Sequence, residues 1–202
     1  MYQAPDEQKP LFDVWFANAE KGFAIGAYAT YLETADGGKT WRARKIIEED
    51  KHLNAVTRLE DGTLIIAGEA GALLRSTDSG ATWNAVDSPY KGSYFGVLSL
   101  KGGVVLAFGL RGRVARSADH GMTWALIETG TRSSLFGGRA LADDRILLVG
   151  QDGAVLESRD QGVSFKAQKN TDSRASSAAI AANDDWLLFG EGGMRRFKPA
   201  TP

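Results

Sequence analysis

Four aspartates, Asp36, Asp78, Asp119 and Asp160, follow one another at intervals of 42, 41 and 41 residues, each in the same chemical setting. A carboxylate repeated in this way can act as a general acid or base, as a calcium ligand or as a clamp on its own backbone. The settings read Thr34-Ala35-Asp36-Gly37-Gly38-Lys39-Thr40-Trp41, Ser76-Thr77-Asp78-Ser79-Gly80-Ala81-Thr82-Trp83, Ser117-Ala118-Asp119-His120-Gly121-Met122-Thr123-Trp124 and Ser158-Arg159-Asp160-Gln161-Gly162-Val163-Ser164-Phe165. Each offers one carboxylate where a calcium loop alternates several. The pattern therefore favours the clamp. The aspartate accepts bonds from amides ahead of it, Gly38, Gly80, Gly121 and Gly162 supply a positive φ, and the Ser or Thr hydroxyls add local bonds. Trp41, Trp83, Trp124 and Phe165 then open the next strand and bury a large ring.

Cations form the second candidate group. Lys9, Lys51, Lys91, Arg132 and Arg174 recur at nearly the same repeat position, and Leu110-Arg111-Gly112-Arg113 adds two more. Donors gathered on one rim suit carboxylates or phosphates, and Tyr90 and Tyr94 beside Lys91 add contact area of the kind enriched at interfaces. The expected partner-binding set is Arg111, Arg113, Arg132 and Arg174, with Lys91, Lys51 and Tyr94. Against it, Glu48, Glu49, Asp50, Asp87, Glu128 and Asp172 dilute the field, and polar loops carry cations for solvation alone. Arg75 and Arg116 read as lining an exposed strand face.

Other chemistry has less to stand on. His52 precedes an inner strand and His120 sits inside an aspartate turn, which a repeated four-stranded unit sends to opposite faces, so a His-paired metal site is not expected. Gly102-Gly103, Gly137-Gly138 and Gly192-Gly193 precede no helix and no Lys-Ser/Thr pair, so they are turns rather than phosphate loops. The absence of cysteine excludes disulfides, thiolate metal sites and a cysteine nucleophile. No metal and no cofactor are expected.

The elements that must position these groups follow from the repeat. Ten residues before each aspartate a glycine ends an apolar run, at Gly26, Gly68, Gly109 and Gly150, and a further copy stands at Gly190. Upstream, Leu11-Phe12-Asp13-Val14, Leu53-Asn54-Ala55-Val56, Tyr94-Phe95-Gly96-Val97, Leu135-Phe136-Gly137-Gly138 and Ser177-Ala178-Ala179-Ile180 recur in phase. In the second repeat, strands are predicted over Leu53 to Leu59, Thr63 to Gly68, Ala72 to Ser76 and Trp83 to Val86. Four-stranded antiparallel units of about 40 residues arranged around a ring are β-propeller blades. The fold class is all-β, one propeller domain over 1–202, with blades at 9–48, 50–88, 91–129, 132–169 and 174–199, the last incomplete. The glycine-rich composition, 24 of 202 residues, fits such a turn-rich fold.

The boxes Ser/Thr-x-Asp-x-Gly-x-Thr/Ser-Trp/Phe resemble those of Asp-box, or BNR-repeat, propellers, which include sialidases, sortilin-type receptors and photosystem II assembly factors. Phe12-Asp13-Val14-Trp15-Phe16, Gly22-Phe23-Ala24-Ile25-Gly26 and Leu32 to Trp41 are most similar to the photosystem II stability and assembly factor-like branch. That resemblance implies a non-enzymatic propeller that binds protein partners through a basic face and helps assemble or stabilise membrane complexes, periplasmic or otherwise exported. It also implies seven blades and an N-terminal signal or lipoprotein segment. Here five units are visible, which leaves a piece of a longer propeller or a short five-bladed relative closed by residues 1–4.

The expected function is thus a scaffold binding a protein partner with an anionic surface. The alternative is a sialidase-like glycoside hydrolase or carbohydrate-binding propeller. The hydrolase needs three arginines on a carboxylate, a tyrosine nucleophile activated by glutamate and an acid/base aspartate, and only the arginines are readily found. Nucleic acid is not expected, because 24 Lys and Arg against 25 Asp and Glu leave a net charge of −1. The apolar runs, such as Leu64 to Gly68, are too short to insert in a membrane as a helix. An unpaired edge on the incomplete last blade invites self-association.

Overall fold

Short apolar runs between Gly- and Asp-rich turns produce strands throughout. In a computed structural model, residues 9–141, 144–182 and 185–199 are described. Five antiparallel sheets follow in chain order, each built by consecutive strands. The first holds β1 (Leu11–Phe16), β2 (Gly22–Gly26), β3 (Tyr31–Thr34) and β4 (Arg42–Ala43); the second β5 (Leu53–Arg58), β6 (Leu64–Gly68), β7 (Leu73–Ser76) and β8 (Asn84–Ala85). The third holds β9 (Tyr94–Ser99), β10 (Val105–Gly109), β11 (Val114–Ser117) and β12 (Ala125–Ile127); the fourth β13 (Leu135–Ala140), β14 (Ile146–Gly150), β15 (Val155–Ser158) and β16 (Lys166–Ala167). The fifth has β17 (Ser176–Ala182), β18 (Asp185–Gly190) and β19 (Gly193–Phe197). Strands β1, β5, β9, β13 and β17 are innermost and touch in succession. These sheets are propeller blades.

Blade stacking explains the continuous apolar runs. Strands β6, β10 and β14 are buried along their whole length because a neighbouring blade covers each face. The side-chain period of two divides each run between two cores. Leu64 and Ile66 pack with Phe23, Ile25 and Tyr31 of the first blade, whereas Ile65 and Ala67 pack with Val97, Val105 and Ala107 of the third. Burying an aliphatic side chain of this size stabilises by roughly 1.5–3 kcal/mol. The glycine that ends each run is required by contact: a Cβ on Gly150 would lie 1.9 Å from the Ser134 carbonyl oxygen.

A polar lock accompanies the apolar cores. Arg75 Nε on β7 donates to the His120 carbonyl at 2.8 Å, and Arg116 Nε on β11 donates to the Gln161 carbonyl at 2.8 Å. Both acceptors belong to the aspartate turn of the following blade. Neither arginine simply lines an exposed face, as the strand pattern suggested. In the first blade Glu33 stands at that position, and Arg44 substitutes by donating to the carbonyls of Gly80 and Ala81. In the fourth blade Glu157 stands there, 5% exposed and paired with Arg145 and Arg159.

The terminal blades leave apolar side chains open: Val14 and Phe16 on β1, and Met194 on β19. Residues 1–4, expected to supply a closing strand, lie outside the described residues. No helix among the described residues is long and apolar enough to cross a membrane.

Candidate anion-binding face

The loops leading into the blades and the turns between second and third strands emerge together. Leu110 N donates to Ser93 O at 2.9 Å, Gly71 N to Gly92 O at 2.9 Å and Gln151 N to Ser134 O at 2.8 Å, so each turn is tied to a lead-in loop. The turns share one backbone form. Arg111 (φ 58°) is followed by Gly112 (φ 69°), and the same left-handed pair recurs at Ala70–Gly71 and Asp152–Gly153. The conformation therefore belongs to the repeat, and the third blade uses it to project an arginine.

Between the third blade and its neighbours lies a cavity of about 460 Å³ lined by Tyr90, Arg111, Arg113 and Arg132. Tyr90 comes from the loop leading into the third blade, Arg111 and Arg113 from the β10–β11 turn, and Arg132 from the loop leading into the fourth. Arg113 pairs with Glu128 at 2.7 Å. Arg111 and Arg132 have no carboxylate partner among the described residues. The Tyr90 hydroxyl donates to the Leu110 carbonyl at 3.2 Å.

Elsewhere on the rim several cations are neutralised or otherwise engaged. Lys51 lies 3.4 Å from Glu49, and Lys45 lies 2.6 Å from Glu48. Arg174 makes a two-pronged bond to Asp172, with Nη2 2.6 Å from Oδ2 and Nε 3.0 Å from Oδ1. These bonds, the Arg174 side chain first, hold the Asp172 carboxyl well below the usual carboxylate range. Lys9 lies over the Tyr28 ring, and Lys91 is exposed. Three of the four arginines expected to form the site line one cavity; Arg174 does not.

Tyr94 must be withdrawn from the contact surface. It is 0% exposed, packs among Leu73, Val97 and Val105, and shares a 2.9 Å hydrogen bond with Ser88. Burial raises its hydroxyl pKa. Its repeat equivalents Leu53 and Leu135 are also fully buried, so the in-phase pattern carried the signal. Tyr90, the other tyrosine expected to add contact area, lines the cavity.

The aspartate turns lie at the other end of the blades. His120 N donates to Gly103 O at 3.0 Å and Gly37 N to Glu20 O at 2.8 Å, joining these turns to the loops between first and second strands. In each turn the aspartate works as a clamp. Asp119 Oδ1 accepts from Ser117 Oγ at 2.7 Å and Thr123 N at 2.9 Å, and Oδ2 accepts from the Thr123 hydroxyl. Ser117 Oγ in turn accepts from Gly121 N at 2.9 Å. The same bonds recur around Asp36, Asp78 and Asp160. Those from the Thr40 and Thr82 hydroxyls lower Asp36 and Asp78 to about 2. At Asp119, burial works upward but the hydrogen bonds outweigh it and the value again falls to about 2. Trp83, Trp124 and Phe165 each pack onto the preceding blade. His52 and His120 lie on opposite faces; His120 Nδ1 approaches Asp61 at 2.7 Å.

Five blades, four of them carrying such a box, with the boxes at one end and an arginine cavity at the other, define an Asp-box β-propeller. Residues 3–143 match the family described as photosynthesis system II assembly factor YCF48, and the chain belongs to that family. The chloroplastic photosystem II stability/assembly factor HCF136 of Arabidopsis thaliana is 36% identical over 84 residues, covering 38% of this chain and 20% of the relative. The photosystem II assembly lipoprotein Ycf48 of Prochlorococcus marinus (strain MIT 9313) is 30% identical over 132 residues, covering 43% and 39%. The matches thus span about a fifth to two fifths of these curated relatives. Among solved structures, YCF48 bound to a D1 peptide has a TM-score of 0.72 at 22% identity, covering 93% of this chain and 63% of that one. Virginiamycin B lyase from Staphylococcus aureus has a TM-score of 0.76 at 13% identity, covering 98% and 72%. Both likenesses establish the propeller fold.

Proposed function

We propose that the chain is a non-enzymatic scaffold whose arginine cavity binds a carboxylate-bearing segment of a protein partner, in the assembly or stabilisation of a membrane-associated complex. The observation that carries this is the cavity in which Arg111 and Arg132 have no carboxylate partner among the described residues, whereas Lys51 and Arg174 on the same rim are paired. Guanidinium groups left without an internal partner offer planar, two-pronged donors to an incoming carboxylate. Family membership supports a partner that is a protein, since a relative at 22% identity is described as bound to a D1 peptide.

Three arginines beside a tyrosine also suit a sialidase-like reading. Its nucleophile needs an activating glutamate, however, and the Tyr90 hydroxyl is directed to the Leu110 carbonyl in a cavity that, among the described residues, no carboxylate lines. A fluorescent Asp/Glu-rich peptide, its Asn/Gln analogue and a single-stranded oligonucleotide, titrated in parallel, test the assignment. The acidic peptide is expected to bind and the amide analogue to lose most affinity. Tighter binding of the oligonucleotide, or equal binding of the two peptides, overturns it.

Self-association is a separate proposal resting on the fifth blade. Arg196 pairs across β18–β19 with Leu187, the position that Arg75 holds opposite Ile65 and Arg116 opposite Leu106. It is 71% exposed, near Asp185, and stands ready to lock a further Asp-box turn. Light scattering in solution decides; a strict monomer removes the proposal.

A further inference from the structure

Every innermost strand carries a bulge at the same point. Pairing slips between Leu11 and Asp13 in β1, Leu53 and Ala55 in β5, Tyr94 and Gly96 in β9, Leu135 and Gly137 in β13, and Ser176 and Ala178 in β17. The residues left out of the ladder are Phe12, Asn54, Phe95, Phe136 and Ser177. This places the fifth repeat at Ser176, one residue before the in-phase pattern of the sequence. A bulged residue is unpaired, and its side chain is re-aimed out of the regular alternation.

Three of the five are phenylalanines, and they are not absorbed into the cores between blades. Phe12 is 46% exposed and Phe136 38% exposed, while Phe95 is half-buried with its ring centroid 5.7 Å from that of Phe136. The two polar bulge residues are bound to backbone: Asn54 Nδ2 donates to the Tyr94 carbonyl at 2.7 Å, and Ser177 Oγ to the Phe189 carbonyl at 3.4 Å. Phe95 and Phe136 thus form an open aromatic pair on the third and fourth blades. They follow Lys91 and Arg132 by four residues in the same lead-in segments, on the side of the propeller where Arg111 and Arg132 have no carboxylate partner among the described residues.

An exposed aromatic pair beside unpaired cations is the arrangement of an interface anchor next to charged recognition groups. We propose that Phe95 and Phe136 form an apolar subsite bordering the arginine cavity, taking an aromatic or large aliphatic side chain of the same acidic segment that the arginines bind. The partner's recognition element is then a carboxylate and a large apolar residue in one short stretch. This deepens the functional proposal above and rests on it.

Two synthetic peptides test it, identical and Asp/Glu-rich except that one carries a central Phe and the other Ala. The wild-type chain is expected to prefer the Phe peptide by roughly tenfold, the ratio expected from burying one large apolar side chain. Phe95→Ala/Phe136→Ala is expected to bind both peptides with the weaker affinity, and Phe136→Leu to keep a preference. Equal affinity of the wild type for both peptides, a comparison that needs no variant, overturns the subsite and leaves the arginine cavity standing. An undiminished preference in the double Phe variant overturns it likewise. If Arg111→Ala/Arg132→Ala binds both peptides as the wild type does, the cavity fails and the subsite with it.

Discussion

Arg75 Nε and the His120 carbonyl meet at 2.8 Å across the junction between the second and third blades, 45 residues apart in the chain. The bond joins a middle strand to the next Asp-box turn, so the box organises contacts between blades as well as its own hairpin. Gly121, in the same turn, lies against Ile65 of the second blade. The second blade thus holds the turn by a polar and an apolar contact.

Arg75→Met should therefore destabilise the fold by about 1.5–3 kcal/mol, the range for a lost hydrogen bond involving a charged donor. For a chain of this size that lowers the thermal midpoint by roughly 3–12 °C. Differential scanning calorimetry checks it, and an unchanged midpoint counts against the lock.

The clamps predict acid sensitivity. Asp36, Asp78 and Asp119 fall to about 2 in the folded chain, against about 3.9 when unfolded. A depressed folded value means that the stabilisation is complete above the unfolded value and is lost as pH falls through the folded one. The thermal midpoint is expected to decline between about pH 4 and about pH 2 on account of these groups. Asp119→Asn should start lower and decline less. An equal decline in that variant contradicts the assignment.

Tyr94 separates folding from binding. Its hydroxyl shares a bond with Ser88 inside the core, so Tyr94→Phe is expected to cost about 1 kcal/mol of stability. Affinity for an acidic peptide should stay unchanged in the same variant. Weakened binding at unchanged stability would return Tyr94 to the contact surface.

The architecture was legible because each repeat states it independently: a glycine ten residues before an aspartate, and an aromatic five after it, recur with the period of a blade. The second blade shows the limit at element ends. Its outer strand, expected over Trp83 to Val86, is Asn84–Ala85, because Trp83 turns inward onto Phe23 and Tyr31. Loop topology placed Arg111, Arg113 and Arg132 on one rim, where they line one cavity. It did not reveal that Arg174 is occupied by Asp172 two residues away, since ion pairing depends on side-chain direction rather than order along the chain. Arg75 and Arg116 looked solvent-exposed because their acceptors lie on the next blade. The phenylalanines of the innermost strands stood in phase, but strict alternation gives no sign of a bulge.

The central claim is that Arg111 and Arg132 receive a carboxylate. Titration calorimetry of an Asp/Glu-rich peptide against the wild-type chain and Arg111→Ala/Arg132→Ala, with thermal midpoints measured on both, tests it most directly. The double variant is expected to keep its midpoint and to bind roughly ten- to a hundredfold more weakly, as loss of charge-assisted bonds requires. Unchanged affinity in a folded double variant would contradict the account.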